Sequence, residues 1–335
     1  MNRVVSSFLL IAVFSLSNLG FSQSNLLNAK TPDMVGKLSE EQEQFDNDEP
    51  LEYGFVGDRD VLWAQIVWEK IDLNQKVNFP LFFPTKESVI NKNRRPLFTV
   101  LVDAIKDGLS DNPSASAITQ IYATDYFDAD KKIEGDEVLN FLNYTFIVDA
   151  GLSILDEFGI FGTEAQDLYV QRYKAGTLNQ HYPEALIERL DPYIETLEIV
   201  PSDIEYYHTK GMWYFDKRQG ELRYRLLAIA PVGADVKTKG QAQQEPVTYF
   251  WVWYPDARKA LHEAKVLNKN NSAKPISFDH LLNSRRFSSM IYKTENEYGD
   301  REIKDYIPDN AMMQLLESDR IKEKIRNFEL DMWNH

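Results

Sequence analysis

Residues 210–231 read KGMWYFDKRQGELRYRLLAIAP. An aromatic arm runs into a polar turn that ends at Gly220. A second arm follows, in which Arg223 and Arg225 alternate with Leu222, Tyr224 and Leu226. Side chains of a strand point alternately to its two faces, so this pattern predicts a β-hairpin with one wet and one buried face. Downstream, VTYFWVWY (247–254) predicts another strand and DARKALHEAKVL (256–267) a helix. Ser277 precedes FDHLLNSRRF, where Phe278, Leu281 and Leu282 share one helical face, so it reads as an N-cap.

The stretch upstream of the hairpin has a counterpart near the start of the chain. Asp203 leads to Trp213 and Asp58 leads to Trp68, both over ten steps. Each Trp is followed by Asp-x-x-Gln (Asp216 to Gln219, Asp72 to Gln75) and then by an apolar run ending in Pro231 or Pro84. Further on, IYATDYFDADKKI (121–133) aligns without gaps with IYKTENEYGDREI (291–303). Four landmarks in one order point to an internal duplication. In the first copy, Pro80 within VNFPLFFP suggests an edge strand or bulge. RPLFTVLVDAIKDG (95–108) predicts a helix with Pro96 in its first turn and Gly108 as its stop.

The fold class expected is therefore α+β: two tandem related α+β subdomains with a C-terminal amphipathic helix. The first repeat is placed at 53–195, with a mixed helical tail over 134–195 that the pattern does not order. The second repeat is placed at 196–308 and the helix at 309–335. In that helix Met312, Leu315 and Leu316 form one apolar patch, and Ile321, Ile325, Phe328 and Met332 a second, rotated one. Two patches allow one to seat on the body and the other on a neighbour.

Residues 1–22 read as a signal peptide. Arg3 is the positive start, Val4 to Leu19 is apolar but broken by serines, and Gly20 and Ser22 are small residues before a cut at Gln23. The apolar stretch falls short of the roughly 20 residues that span a bilayer. The chain has no cysteine, which rules out disulfides and lipid attachment through a cysteine at the cleavage site. Removal of the leader leaves 36 basic against 52 acidic side chains. Nucleic acid and anionic lipid, both polyanions, are poor main partners for such a chain. Residues 23–52 carry an acidic run with few large apolar residues, the composition of a flexible arm.

Tests for reactive chemistry come out negative. His262-Glu263 opens a zinc-protease pair, but Val266 stands where the second histidine belongs. Asp128-Ala-Asp130 begins like a calcium loop, but Ile133 occupies the position that requires Gly. No nucleophile elbow, phosphate loop or dinucleotide fingerprint occurs. No catalytic, metal or cofactor-binding set is assigned, and the expectation is a non-enzymatic interaction protein. Its candidate contacts are Trp251, Trp253, Tyr254, Arg285, Arg286, Phe328 and Trp333, since Trp, Tyr and Arg dominate interface energetics. The alternative is a periplasmic hydrolase or ligand-binding protein with a cleft between the two repeats.

RDVLWAQIVWEKIDLNQKVNFPLFFPT (59–85) and KGMWYFDKRQGELRYRLLAIAP (210–231) resemble the GldN (PorN) family of gliding motility and type IX secretion proteins. So do FWVWYPDARKALHEAKVLNKNNSAKPISFDHLLNSRRFSSMIYK (250–293) and DNAMMQLLESDRIKEKIRNFELDMW (309–333). The resemblance implies a periplasmic location, with membrane association only through a partner. The partners it implies are a GldK-like outer-membrane lipoprotein, with which the family forms a ring, further copies of the same chain, and the GldM-like periplasmic part of a motor shared with GldL.

Overall fold

The computed structural model describes residues 31, 34, 49–86, 95–238, 246–266, 268 and 276–333. The expected signal peptide lies outside the described residues, as does all of the acidic arm except 31, 34 and 49–52.

In chain order the elements are β1 (Val61–Asp72), α1 (Phe79–Phe82), α2 (Leu97–Gly108), β2 (Ile121–Tyr122), α3 (Gly135–Leu142), β3 (Asn143–Ile147), α4 (Asp149–Glu157), α5 (Thr163–Lys174), α6 (Glu184–Leu190) and β4 (Ile194–Glu198). The second half continues with β5 (Ile204–Asp216), β6 (Glu221–Ala234), β7 (Pro246–Thr248), β8 (Trp251–Trp253), α7 (Tyr254–Glu263), β9 (Lys265–Val266), β10 (Ile276–Ser277), α8 (Phe278–Asn283), β11 (Met290–Thr294), α9 (Ile303–Tyr306) and α10 (Ala311–Trp333). The α+β expectation holds.

The hairpin forms as the alternation requires. β5 and β6 pair antiparallel from Ile204↔Gly233 to Asp216↔Glu221. Gly220 takes φ +67° at the turn, a conformation costly for residues with a Cβ. Asp216 Oδ1 accepts the Arg218 amide at 2.9 Å and fixes the turn locally. Around this hairpin a seven-stranded antiparallel sheet runs in the order β11-β1-β5-β6-β8-β2, with β7 also on β6.

Alternation along β1 sends Val67, Glu69 and Ile71 to one face and Ile66, Trp68 and Lys70 to the other. The first face is closed by α2, α7 and α8, whose Leu97, Leu101, Leu261, Phe278 and Leu282 pack with Ile71, Tyr207, Ile229 and Val252 in the main core. Ser277 caps α8 as read from the sequence, accepting the His280 amide at 3.1 Å. The opposite face carries a small cluster of Trp68, Ala228, Ala230 and Trp251, with Tyr122, Phe127 and Tyr292 against it.

The fold does not confirm the internal duplication. β1 and β5 begin the two segments read as separate repeats, yet they are hydrogen-bonded neighbours from Val61↔Asp216 to Asp72↔Tyr206. Their tryptophans fall on opposite faces, Trp68 with the open-face cluster and Trp213 beside Val67 and Ile325. The two IY strands, β2 and β11, sit at opposite edges of the sheet. They share one local trait: each chain folds back beside its strand, through the bridges Tyr122↔Lys132 and Lys293↔Glu302.

Three local expectations need correction. The stretch around Pro80 is the short helix α1, with Pro80 in its first turn, where the missing N–H costs nothing. Buried Asn78 holds that helix start to two distant points, donating to Asp72 O at 2.7 Å and to Ser288 O at 2.9 Å. The single strand expected over 247–254 is two short strands, with Tyr249 between them donating its amide to Pro231 O at 3.1 Å and its hydroxyl to Ala234 O at 2.6 Å. The helix expected at 256–267 is α7, which begins at Tyr254 and ends at Glu263.

Residues 143–198, most of the stretch the sequence pattern left unordered, form an insert with its own core. β3 and β4 pair from Asn143↔Glu198 to Ile147↔Ile194 and close it at the base. Ile154, Leu155, Tyr169, Leu186 and Leu190 fill its interior.

Candidate functional site

The last helix divides into a seated and an unseated half. Ile325 is buried with Val67 and Ile291, and Ile321 packs beside it. Phe328 stacks on Trp63 with ring centroids 4.8 Å apart and meets Phe215 edge-on at 6.0 Å. Ser318 Oγ accepts the Ile291 amide at 2.9 Å, and Lys322 Nζ donates to Ser289 O at 2.6 Å. These contacts seat the C-terminal half on β11 and β1. One turn earlier, Met312 is 66% exposed, and Met313, Leu315, Leu316 and the preceding Tyr306 are exposed with it. An exposed cluster of large apolar side chains marks an interaction surface more often than a lone one does.

The other predicted contacts fall into separate places. Tyr254 is 0% exposed, and its hydroxyl donates to Asp279 Oδ1 at 3.0 Å. Trp251 is also buried, against Trp68 and the two alanines of β6. Both side chains therefore serve the interior, because β8 is an inner strand and Tyr254 lies under α8. Trp253 is half-buried and packs edge-on against Phe127 at 4.9 Å. Arg286 is exposed. The side chain of Trp333 lies outside what is described.

Arg285, a candidate contact, is drawn largely inward, with its side chain 23% exposed. It sits at φ +50°, and its Nη2 donates to both oxygens of Glu69 at 2.9 and 3.0 Å. Ser289 Oγ donates to the same carboxylate at 2.9 Å. The guanidinium covers the ring of Tyr224 at 4.1 Å. Burial opposes its charge, but Glu69 and Tyr224 outweigh burial and raise its pKa further. Glu69 is itself 1% exposed, so the pair ties α8 to β1 through the sheet interior.

The open face of the sheet holds a second cationic cluster. Lys210 of β5 and Lys293 of β11 lie over the ring of Trp68, at 4.7 and 4.3 Å from its centroid. Asp125, in the loop after β2, accepts from both: its main-chain oxygen from Lys210 Nζ at 2.8 Å and its Oδ2 from Lys293 Nζ at 3.0 Å. Burial lowers the pKa of Lys210, and Asp125 only partly offsets it, whereas the hydrogen bond and charge of Asp125 raise that of Lys293 despite burial. Nearby, His208 stacks on Tyr292 at 4.5 Å. Burial first, then the charges of Lys70 and Lys304, push its pKa down to about 4. No periodic signal marks this cluster, because its members come from four distant segments.

The insert presents an exposed feature of its own. α4 ends in a tight cap: Gly159 takes φ +76°, and the Ile160 amide returns to Leu155 O at 3.0 Å. Ile160 then packs on the insert core while Phe161 turns outward and is 68% exposed. Residues 143–198 hold ten carboxylates and three basic side chains, so this tip stands on an acidic body.

β1 and β5 are adjacent in one sheet, so the segments read as repeats share that sheet, and two small hollows lie between them elsewhere, one lined by Phe98, Leu142 and Ile199 and one by Phe141, Tyr144 and Val236. Among the described residues no helix is long and apolar enough to cross a membrane. The family model described as gliding motility associated protein GldN matches residues 56–334. No curated protein matches the chain.

Proposed function

The chain belongs to the GldN family of gliding motility associated proteins, and from that premise we propose that it is a non-catalytic ring subunit of the type IX secretion and gliding machinery. It acts in the periplasm, assembles with a GldK-like outer-membrane lipoprotein and with further copies of itself, and links to the GldL-GldM motor. Its work is mechanical. Each copy offers one surface to its neighbour and another to the lipoprotein, and head-to-tail contacts of this kind close into a ring when the rotation between copies allows it.

One observation carries the assembly reading: the unseated half of α10. Met312, Met313, Leu315 and Leu316 stay exposed on a helix whose other half is firmly seated. Trp253, Arg286 and Phe328 remain candidate contacts, and Trp333 ends the same helix.

Coexpression with the lipoprotein partner followed by sizing is the test. The expected product is a complex of many copies. The combined substitution Met312→Ser, Leu315→Ser and Leu316→Ser should leave tryptophan emission and cooperative unfolding unchanged while abolishing the large complex. A triple variant that assembles as before removes the role given to this patch. A wild-type chain that stays monomeric beside its lipoprotein overturns the ring reading itself.

A further inference from the structure

The loop over residues 123–131 crosses the face of the sheet opposite α2, α7 and α8. Its base is closed by backbone: the Ala123 amide donates to Lys131 O, and the Ile133 amide to Ile121 O, both at 3.0 Å. Its tip is held differently. Among the described residues no backbone hydrogen bond ties 124–127 to the sheet. The tip is fixed by Asp125, through Lys210 and Lys293, and by ring contacts of the next two residues. Phe127 lies 5.2 Å from Lys210 Nζ and packs on Tyr122 at 5.2 Å. Tyr126 lies 5.3 Å from Lys293 Nζ.

The sheet side of this contact is rich in donors. Lys210 is 8% exposed, and each ammonium carries three N–H groups. Trp68 is 1% exposed, and its Nε1 has no hydrogen-bond partner among the described residues. Two cations stacked on a buried indole thus meet one residue that supplies acceptors to both. Unpaired buried donors carry a desolvation cost, which a well-placed carboxylate relieves.

We propose that Lys210, Lys293 and Trp68 form a carboxylate-reading site that Asp125 fills in cis, and that a partner protein's segment with a carboxylate followed by two aromatic side chains exchanges with the loop. The class of segment follows from the occupant: Asp125 reads the cations, and Tyr126 and Phe127 cover them. The site shares no residue with the α10 patch, and the seated half of α10 packs on the other face of the sheet, so it gives the protein a second docking point. While the loop is in place, its tether keeps Asp125 at an effective concentration near the millimolar range, so a competitor must outbid it.

The loop's own sequence serves as the probe. A synthetic peptide, Ala-Thr-Asp-Tyr-Phe-Asp-Ala-Asp-Lys, copies residues 123–131. It is titrated into the full-length wild type and the full-length Asp125→Ala protein. The variant should bind at least about tenfold more tightly than wild type, the scale of one charge-assisted hydrogen bond. A peptide with Asn at its third position should lose that gain. Adding Lys210→Met and Lys293→Met to the variant should abolish binding, and acetate at the peptide's concentration should not compete. Equal binding of the Asp and Asn peptides, competition by acetate, or no binding to a cooperatively folded Asp125→Ala protein overturns the assignment. If Asp125→Ala does not fold, the Asp125→Asn protein decides by amide exchange. Faster exchange confined to 123–131 supports an exchangeable loop, and unchanged exchange overturns it.

Discussion

The central sheet and the 143–198 insert bury apolar side chains by opposite means. The sheet joins strands from distant parts of the chain, and its core draws on 32 buried residues among those described, from Ile71 to Leu282. The insert uses seven, from Ile147 to Leu190, and is closed by one two-stranded ladder. Burying a large apolar side chain contributes about 1.5–3 kcal/mol, so the two regions differ severalfold in what holds them. The difference teaches that the sheet should unfold as a unit and that the insert can open alone. The chain provides a convenient reporter, because none of its six tryptophans lies in 143–198.

The sharpest test strikes the sheet at its buried strut. Glu69→Ala leaves Arg285 charged and unpaired in the interior, which should cost about 3–5 kcal/mol. Urea unfolding followed by tryptophan emission should show the loss as one shifted, cooperative transition. The insert gives the contrasting result. Leu155 is fully buried in the small core, and Leu155→Ala should cost about 2–5 kcal/mol locally. Amide exchange over 143–198 should accelerate while the tryptophan transition stays in place. A tryptophan transition displaced as far as that of Glu69→Ala would show that the two regions fold as one.

Acid should weaken the sheet through His208. Its folded-state pKa of about 4 lies below the ordinary 6.5, so the folded state resists protonation. The stability involved is fully present above pH 6.5 and is lost as pH falls from there towards 4, roughly 3 kcal/mol in all. His208→Phe keeps a ring against Tyr292 and removes this loss. The gap between the variant and wild type in urea midpoint should therefore move in the variant's favour between pH 7 and pH 4.5. The smallest effect belongs to the insert surface. Arg189 meets Glu157 at 2.8 Å with both side chains well exposed, and Arg189→Ala should change stability by less than about 1 kcal/mol. A larger loss in thermal melting would mean that the insert depends on its surface charges more than on its core.

Legibility in the sequence followed the range of the interaction. The hairpin at 210–231, the helix at 97–108 and the cap at Ser277 were readable because turn residues, period and capping act over a few positions. The helix at the C-terminus and its two rotated patches were readable for the same reason. The pairing of Arg285 leaves no local signal, since the partner that draws it inward, Glu69, stands in another strand far along the chain. Trp251 and Tyr254 carry the residue types of an interface but are buried, Trp251 against Trp68 and the alanines of β6 and Tyr254 beside Asp279. The Lys210–Asp125–Lys293 cluster left no trace in any window, because three segments meet there only after the sheet has formed.

By itself the sequence determined the 210–231 hairpin, the helix over 97–108 and the C-terminal helix, and which of their faces are apolar, because backbone geometry converts spacing directly into facing. Tertiary structure decided that β1 and β5 pair within one sheet, that 143–198 closes on its own core, and that only the second half of α10 is seated. Those outcomes depend on which apolar face meets which, and many pairings satisfy the same local pattern. Only packing of the whole chain, with buried polar groups such as Asn78 and Glu69 satisfied, selects among them.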